Sequence, residues 1–345
     1  MNSLERIINA INFEEIDRIP VIPQLTYAAA KWMNKTVTDG SDNLNLQYES
    51  LAHAYRECHY DGIYAGWEGS FNLLANAMGA ELKYSDENPP SVAVPPVKNQ
   101  EDLELIIEKN RNSGINFVKT EGIEINIELI KKLKSNFKDV AILSYLPGPF
   151  TYVGVITGVT QLMLNVIRKP DFIKTAMDLV YDFILHFGKL KIDAGADFIT
   201  IADPSSSSTM ISPKNFKEFG YPMVKKLITD LKKHSKEIMI GIHICGNTKP
   251  ILDLLENLDI EFFELDSLVP IADARNILKN TCIVGNIAPA DLTQKSSSEL
   301  KEIYNECLRN INGKGYILSS GCEIAYGTPI ENLKEMAIAS KNYHI

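Results

Sequence analysis

Eight short apolar runs, nearly all separated by helical stretches, constrain this chain more than any other feature of it. They begin near residues 19, 61, 140, 197, 238, 262, 282 and 315. From residue 139 the alternation is regular. Val140-Ala141-Ile142-Leu143, Phe198-Ile199-Thr200-Ile201, Ile238-Met239-Ile240-Gly241-Ile242 and Ile283-Val284 have the length and β-branched bias of fully buried strands. The longest intervening stretch, about 171–193, carries Phe172, Ala176, Leu179, Val180, Phe183 and Phe187 along one helical stripe. Earlier in the chain, Val21-Ile22-Pro23 and Asp61-Gly62-Ile63-Tyr64 are read as the first two strands. Residues 81–100, with Pro89, Pro90, Pro95 and Pro96, are read as a surface excursion with a hairpin strand at Ser91-Val92-Ala93-Val94. Eight alternating units predict an α/β fold: a (β/α)8 TIM barrel over residues 1–345, with an N-terminal extension and the excursion before strand three. A doubly wound open sheet is the other arrangement this alternation permits.

Local signals mark several helix starts. Ser3 is placed as the cap of a first helix with Leu4, Ile7, Ile8 and Ile11 at helical spacing. Ser212-Pro213 offers a cap and a first-turn proline, and Thr328-Pro329-Ile330-Glu331 reads as a capping box.

Composition narrows the function classes. A formal charge of −9 and no basic, aromatic-interleaved patch argue against a nucleic-acid surface. No apolar run approaches the roughly 18 residues of a membrane span. The N-terminus lacks the basic-then-apolar order of a signal peptide, which predicts a cytoplasmic protein. In that reducing setting Cys58, Cys245, Cys282, Cys307 and Cys322 are thiols: cores, ligands or nucleophiles.

The chemistry concentrates at predicted strand ends, where a barrel keeps its active site. His243 and Cys245 end the fifth run, and residues i and i+2 of an extended chain project to one face. Imidazole and thiolate are the donors zinc prefers, and Cys322 ends the eighth run. Two readings stand on the residues alone: a three-ligand zinc site with one open position, or cysteines buried as small hydrophobes. Gly241, Gly246 and Gly321 flank the candidates and permit close backbone approach. Asp203 and Asp266 end runs four and six and are the catalytic candidates, orienting a ligand or touching substrate; Asn286 ends run seven. A cap or loop hydrogen bond is the plainer role for either aspartate. Cys58 and Cys307 lie in amphipathic helices, and Cys282 starts a strand at the far end from this cluster, so each reads as core. Ser205-Ser206-Ser207-Ser208 lacks a phosphate-loop pattern and reads as a flexible loop over the mouth.

Across nearly its whole length the chain resembles the uroporphyrinogen decarboxylase superfamily, in its cobamide-dependent methyltransferase branch. The resemblance rests on Glu5-Arg6 with Asp17-Arg18-Ile19-Pro20, on Gly148-Pro149-Phe150-Thr151, and on Asp203-Pro204 leading to Ile211-Ser212-Pro213. It continues through His243-Ile244-Cys245-Gly246, Gly285-Asn286-Ile287-Ala288-Pro289 and Ser320-Gly321-Cys322. It implies that His243, Cys245 and Cys322 are zinc ligands, that zinc holds a small thiol (coenzyme M-like) as thiolate, and that this thiolate takes a methyl group from a methylated cobamide. No Asp-x-His-x-x-Gly motif is present, so the cobamide is expected on a separate corrinoid protein covering the barrel mouth. Relatives also run in the opposite direction, loading a corrinoid from methoxylated or methylated compounds. The decarboxylase branch places arginines near the N-terminus, where this chain has Pro23-Gln24-Leu25-Thr26-Tyr27, and a Gly-His where it has Gly321-Cys322. Decarboxylation is therefore disfavoured. A zinc hydrolase is disfavoured because two thiolates weaken the metal as a Lewis acid and no general base accompanies the pair. A binding-only scaffold has no need of all three ligands.

Overall fold

The computed structural model describes residues 1–67, 70–113, 121–309 and 314–343. Its strands are β1 (Gly62–Tyr64), β2 (Glu81–Lys83), β3 (Ser91–Val94), β4 (Ala141–Pro147), β5 (Phe198–Ala202), β6 (Met239–His243), β7 (Phe262–Leu265), β8 (Cys282–Ile287) and β9 (Tyr316–Ser320). Seven of them form one parallel sheet in the order β1-β4-β5-β6-β7-β8-β9, and β2 pairs antiparallel with β3 as the separate excursion.

The ring is completed by Pro20–Ile22. Val21 makes one parallel bridge with Leu318 of β9; Ile22 N–H donates to Leu318 O at 3.0 Å, and Leu318 N–H donates to Pro20 O at 2.9 Å. On its other side, Val21 O accepts the Asp61 amide at 2.7 Å, next to β1. This eighth stave is shorter than the strand expected there. The physical reason is that Pro20 and Pro23 have no N–H to continue a ladder.

The lower end of the barrel is plugged by helix Ser3–Ile11, whose Ile7, Ala10 and Ile11 pack with Ile22, Tyr64, Phe198, Phe262 and Cys282. Its cap is Asn2, one residue earlier than expected: the Asn2 side chain accepts from Glu5 N–H at 2.8 Å, and the Glu5 carboxylate accepts from Asn2 N–H at 3.0 Å. Ser3 is free to donate to Asp61 instead, at 3.0 Å. Asp61 is fully buried and binds Arg6 at 2.7 Å and Arg18 through two 2.8 Å contacts. Arg6 also grips Asp17 at 2.6 and 2.7 Å. Charge-assisted, forked contacts of this kind suit guanidinium, and here they tie the plug, the eighth stave and β1 together.

Helices cover the outside. Pro170–Asp193 carries the expected apolar stripe and one fully buried cation, Lys191, which donates to Tyr145 O at 2.6 Å and Ser144 Oγ at 3.0 Å. Ser212 caps the next helical segment, accepting from Asn215 N–H at 3.2 Å; a π turn over Phe216–Gly220 then leads into helix Tyr221–His234. The closing helix, Ile330–Asn342, has Pro329 at its cap rather than Thr328. The Thr328 hydroxyl pairs with that of Thr293 at 3.0 Å, so the expected capping box is replaced by a tertiary contact. Among the described residues no single helix is long and apolar enough to cross a membrane.

Candidate metal centre

β6 lies between β5 and β7, with His243 in register with Ala202 and Glu264. The inward parity of the strand sends the His243 imidazole to the mouth of the barrel, and Cys245, two residues on, follows it there. Sγ of Cys245 lies 3.0 Å from His243 Nε2 and 3.6 Å from Sγ of Cys322, which arrives just past β9. Among the described residues these three form the one group of soft donors, all within 4.8 Å of one another.

Backbone constraints set this geometry. Gly246 has φ +82°, a left-handed turn that redirects the chain immediately after Cys245. Gly321 donates to Ile287 O at 2.7 Å and has no room for a side chain: a Cβ there would lie 2.7 Å from Ser267 N. Asp266 Oδ2 accepts the Gly246 amide and its Oδ1 accepts the Leu268 amide, both at 2.8 Å. Asp203 is fully buried; its amide donates to His243 O at 2.8 Å, and its two oxygens accept from Thr151 N–H and Ser206 Oγ at 2.7 Å each. Neither aspartate is among the described residues lining the recess beside the sulfurs. Asn286 donates to Val269 O at 2.7 Å, bracing the same loop. The serine run is packed rather than flexible: Ser205, Ser206 and Ser207 are buried, drawn in by Asp203 and by Thr151, whose hydroxyl accepts the Ser205 amide at 2.8 Å.

The donor set fits zinc. Tetrahedral bonds of about 2.3 Å to sulfur and about 2.0 Å to nitrogen place two sulfurs about 3.8 Å apart and sulfur and nitrogen about 3.5 Å apart. The observed 3.6 Å between sulfurs needs almost no adjustment, and the 3.0 Å between His243 and Cys245 needs about half an ångström. The protonation pattern points the same way. A hydrogen bond from Cys245 holds the Cys322 thiol down to about 4, against burial and with help from His243. Cys245 is correspondingly pushed up, by that same bond and by burial. Burial would lower His243, but Cys322, Glu264 and Asp266 outweigh it and hold the imidazole up to about 9. Protons are thus held among donor atoms that a cation would share.

Glu264 escaped the sequence reading. It is fully buried at the barrel axis and accepts hydroxyls from Tyr64 at 2.5 Å and Thr200 at 2.7 Å, with the Tyr145 oxygen 3.3 Å away. Its Oε2 lies 3.5 Å from His243 Nδ1, an atom that is buried and has no hydrogen-bond partner among the described residues. Burial raises the Glu264 carboxyl, opposed by His243 and the hydroxyls. The available signal was parity: in Phe262-Phe263-Glu264, a carboxylate shares the inward face with Phe262 of an otherwise apolar strand.

Above the donors a recess enclosing about 670 Å³, including its solvent mouth, is lined by Gln24, Thr26, Phe71, Tyr145, Pro204 and Glu323 together with the three donor residues. Tyr145 OH donates to Gln24 Oε1 at 2.9 Å, and Gln24 Nε2 donates to Ser320 O at 3.1 Å. Thr26 donates to Glu323 Oε1. Burial lifts the Glu323 carboxyl to about 7, with Thr26 opposing the shift.

A family model described as uroporphyrinogen decarboxylase (URO-D) matches residues 2–343, so the chain belongs to that family. It is 26% identical to the methylcobamide:CoM methyltransferase MtbA of Methanosarcina acetivorans, over 98% of this chain and 97% of that protein. It is also 26% identical to a methylated-thiol–coenzyme M methyltransferase of Methanosarcina mazei, over 99% of this chain and 89% of that protein. A solved methyltransferase from Methanosarcina mazei superposes with a TM-score of 0.86 over 99% of this chain and 98% of its own, at 22% identity, which establishes a shared fold.

Proposed function

We propose that this chain is a methyltransferase that moves a methyl group between a cobamide carried on a separate corrinoid protein and a small thiol, using zinc held by His243, Cys245 and Cys322. The observation that carries the reading is the convergence of one imidazole and two sulfurs at the mouth of a barrel, beside a recess large enough for a small molecule. The names of the relatives support its chemistry: one is a methylcobamide:CoM methyltransferase, the other acts between a methylated thiol and coenzyme M.

Three protein donors leave a fourth position, where bound zinc would hold the substrate thiol as thiolate, the competent nucleophile. The chain's own residues set up that event. Cys322 is already biased to the thiolate, and Glu264 stands where it can fix the imidazole proton on Nδ1, leaving Nε2 to coordinate. Asp203 and Asp266 act as positioning residues, one anchoring the backbone at His243 and the other the turn after Cys245. Packed walls of Tyr145, Phe71 and Pro204 limit water around the sulfurs, while the open top leaves room for the corrin to approach.

The test measures metal content and turnover together. The protein should carry about one zinc per chain and should demethylate methylcobalamin with at least one small thiol, followed by the change in cobalamin absorbance. Cys322→Ala should lose both metal and turnover while keeping its far-ultraviolet circular dichroism. Zinc-free protein, or no turnover with any thiol in either direction, would sink the reading.

A further inference from the structure

Gln24 holds the chain on both sides of Cys322. Its main-chain N–H donates to Ser320 Oγ and its side-chain Nε2 to Ser320 O, both at 3.1 Å, while its carbonyl accepts the Ile324 amide at 3.0 Å. Ser320 lies two residues before the cysteine and Ile324 two residues after it. Regular strand pairing does not account for this arrangement. The Ile22 amide bonds Leu318 O, so a continuing parallel ladder would send the Gln24 amide to Ser320 O. Instead the side-chain amide takes that carbonyl, and the main-chain amide turns to the serine hydroxyl. The side chain is itself fixed: it is buried, and its Oε1 accepts the Tyr145 hydroxyl at 2.9 Å. Tyr145 in turn stacks on Tyr64, with ring centroids 4.7 Å apart. β9 ends at Ser320, so Cys322 depends on contacts of this kind for its place, and its sulfur stands 3.6 Å from that of Cys245.

We propose that Gln24 is a positioning residue of the metal centre: by holding Ser320 and Ile324 it fixes the loop that carries Cys322 before the ion arrives, and so sets that sulfur's distance from Cys245. The proposal rests on the metal reading given above. A ligand loop ordered in advance spares the ion the entropy of ordering it. Partners that orient ligands in this way are worth about 10–100-fold in metal affinity.

Cobalt(II) is the probe, since it takes the same imidazole and thiolate donors and its near-ultraviolet charge-transfer absorbance grows with the number of thiolates bound. Gln24→Met keeps the length of the side chain and removes the donor to Ser320 O. In that variant cobalt affinity, measured against a competing chelator, should fall about tenfold. Absorbance per bound cobalt should drop toward that of a site with a single thiolate. A purely structural role would lower the urea midpoint of the metal-free protein and leave absorbance per bound cobalt at the wild-type value. Ser320→Ala removes the acceptor of the Gln24 main-chain amide; it should move affinity and absorbance the same way, and it decides the matter should Gln24→Met fold poorly. Wild-type absorbance per bound cobalt in both variants overturns the proposal and leaves the metal reading standing. A wild-type protein that binds no cobalt overturns the metal reading and the proposal with it, so the two failures are told apart.

Discussion

Glu264 Oε2 lies 3.5 Å from His243 Nδ1, and neither side chain is more than 5% exposed. A carboxylate behind a metal-binding imidazole fixes its tautomer and raises its basicity, and loss of such a partner costs about 10–100-fold in metal affinity. Glu264→Gln keeps an oxygen to accept the Tyr64 and Thr200 hydroxyls, so the barrel should stay folded. Zinc affinity, measured against a competing chelator, should fall by that factor. An unchanged affinity would show that the carboxylate serves only the barrel interior.

Gly321→Ala should act on the metal through the backbone. Its Cβ would be 2.7 Å from Ser267 N and 3.3 Å from Asn286 O, backbone atoms that cannot rotate away. The strand end carrying Cys322 must then shift. We expect a stability loss of about 1–3 kcal/mol in urea titrations and weaker zinc binding. Normal values of both would mean that the loop after β7 yields freely.

Two apolar side chains stand exposed on loops that follow strands at the mouth: Met210 (46%) after β5 and Leu268 (65%) after β7. A corrinoid protein covering the mouth would bury them. The hypothesis is that Leu268→Glu with Met210→Glu slows transfer from a protein-bound cobamide by about tenfold or more. Transfer from free methylcobalamin, which needs no protein docking, should be unaffected. Equal slowing with both donors would refute the docking role.

Lys191 gives stability a pH dependence of definite sign. Burial holds its ammonium down to about 7, against 10.5 in an unfolded chain. Between those values the unfolded state binds a proton that the folded state lacks, so this group makes the fold more stable as pH rises from about 7 to about 10.5. Below 7 both states are charged and its contribution is flat, at its least favourable. Lys191→Met should remove that rise from urea midpoints measured between pH 7 and 10. A wild-type-minus-variant difference that does not change with pH would contradict the assignment.

The barrel was legible because each stave announces itself locally, by β-branched residues at strand length, and because His243 and Cys245 share a strand parity. Cys322 could be placed at the same end of the ring by counting strands. Contacts that exist only across the ring were not legible. Glu264 looked like part of a strand, and nothing local links it to Tyr64, Thr200 or His243. Asp203 and Asp266 drew attention as acids at strand ends, yet their oxygens are engaged by backbone amides and a serine hydroxyl. Ser205–Ser208 has the composition of a mobile loop, and the buried Asp203 and Thr151 beneath it explain why it packs. Thr328 had the right neighbours for a capping box but found Thr293 in another helix. In each case a partner distant in sequence outbid a local one.

The joint between the first and last staves includes a single bridge at Val21 and Leu318, the Ile22 and Leu318 amides, and the bonds that Gln24 makes with Ser320 and Ile324. Cys322 follows β9 by two residues, and the other two donors lie at the end of β6, three strands around the ring from β9. An ion gripped by all three would pin the β9 side of that joint to β6. Stripping the metal should therefore loosen the ring at that joint, with amide hydrogens of Ile22 and Leu318 exchanging sooner, while the Arg6–Asp61–Arg18 knot at the base keeps the two ends from parting.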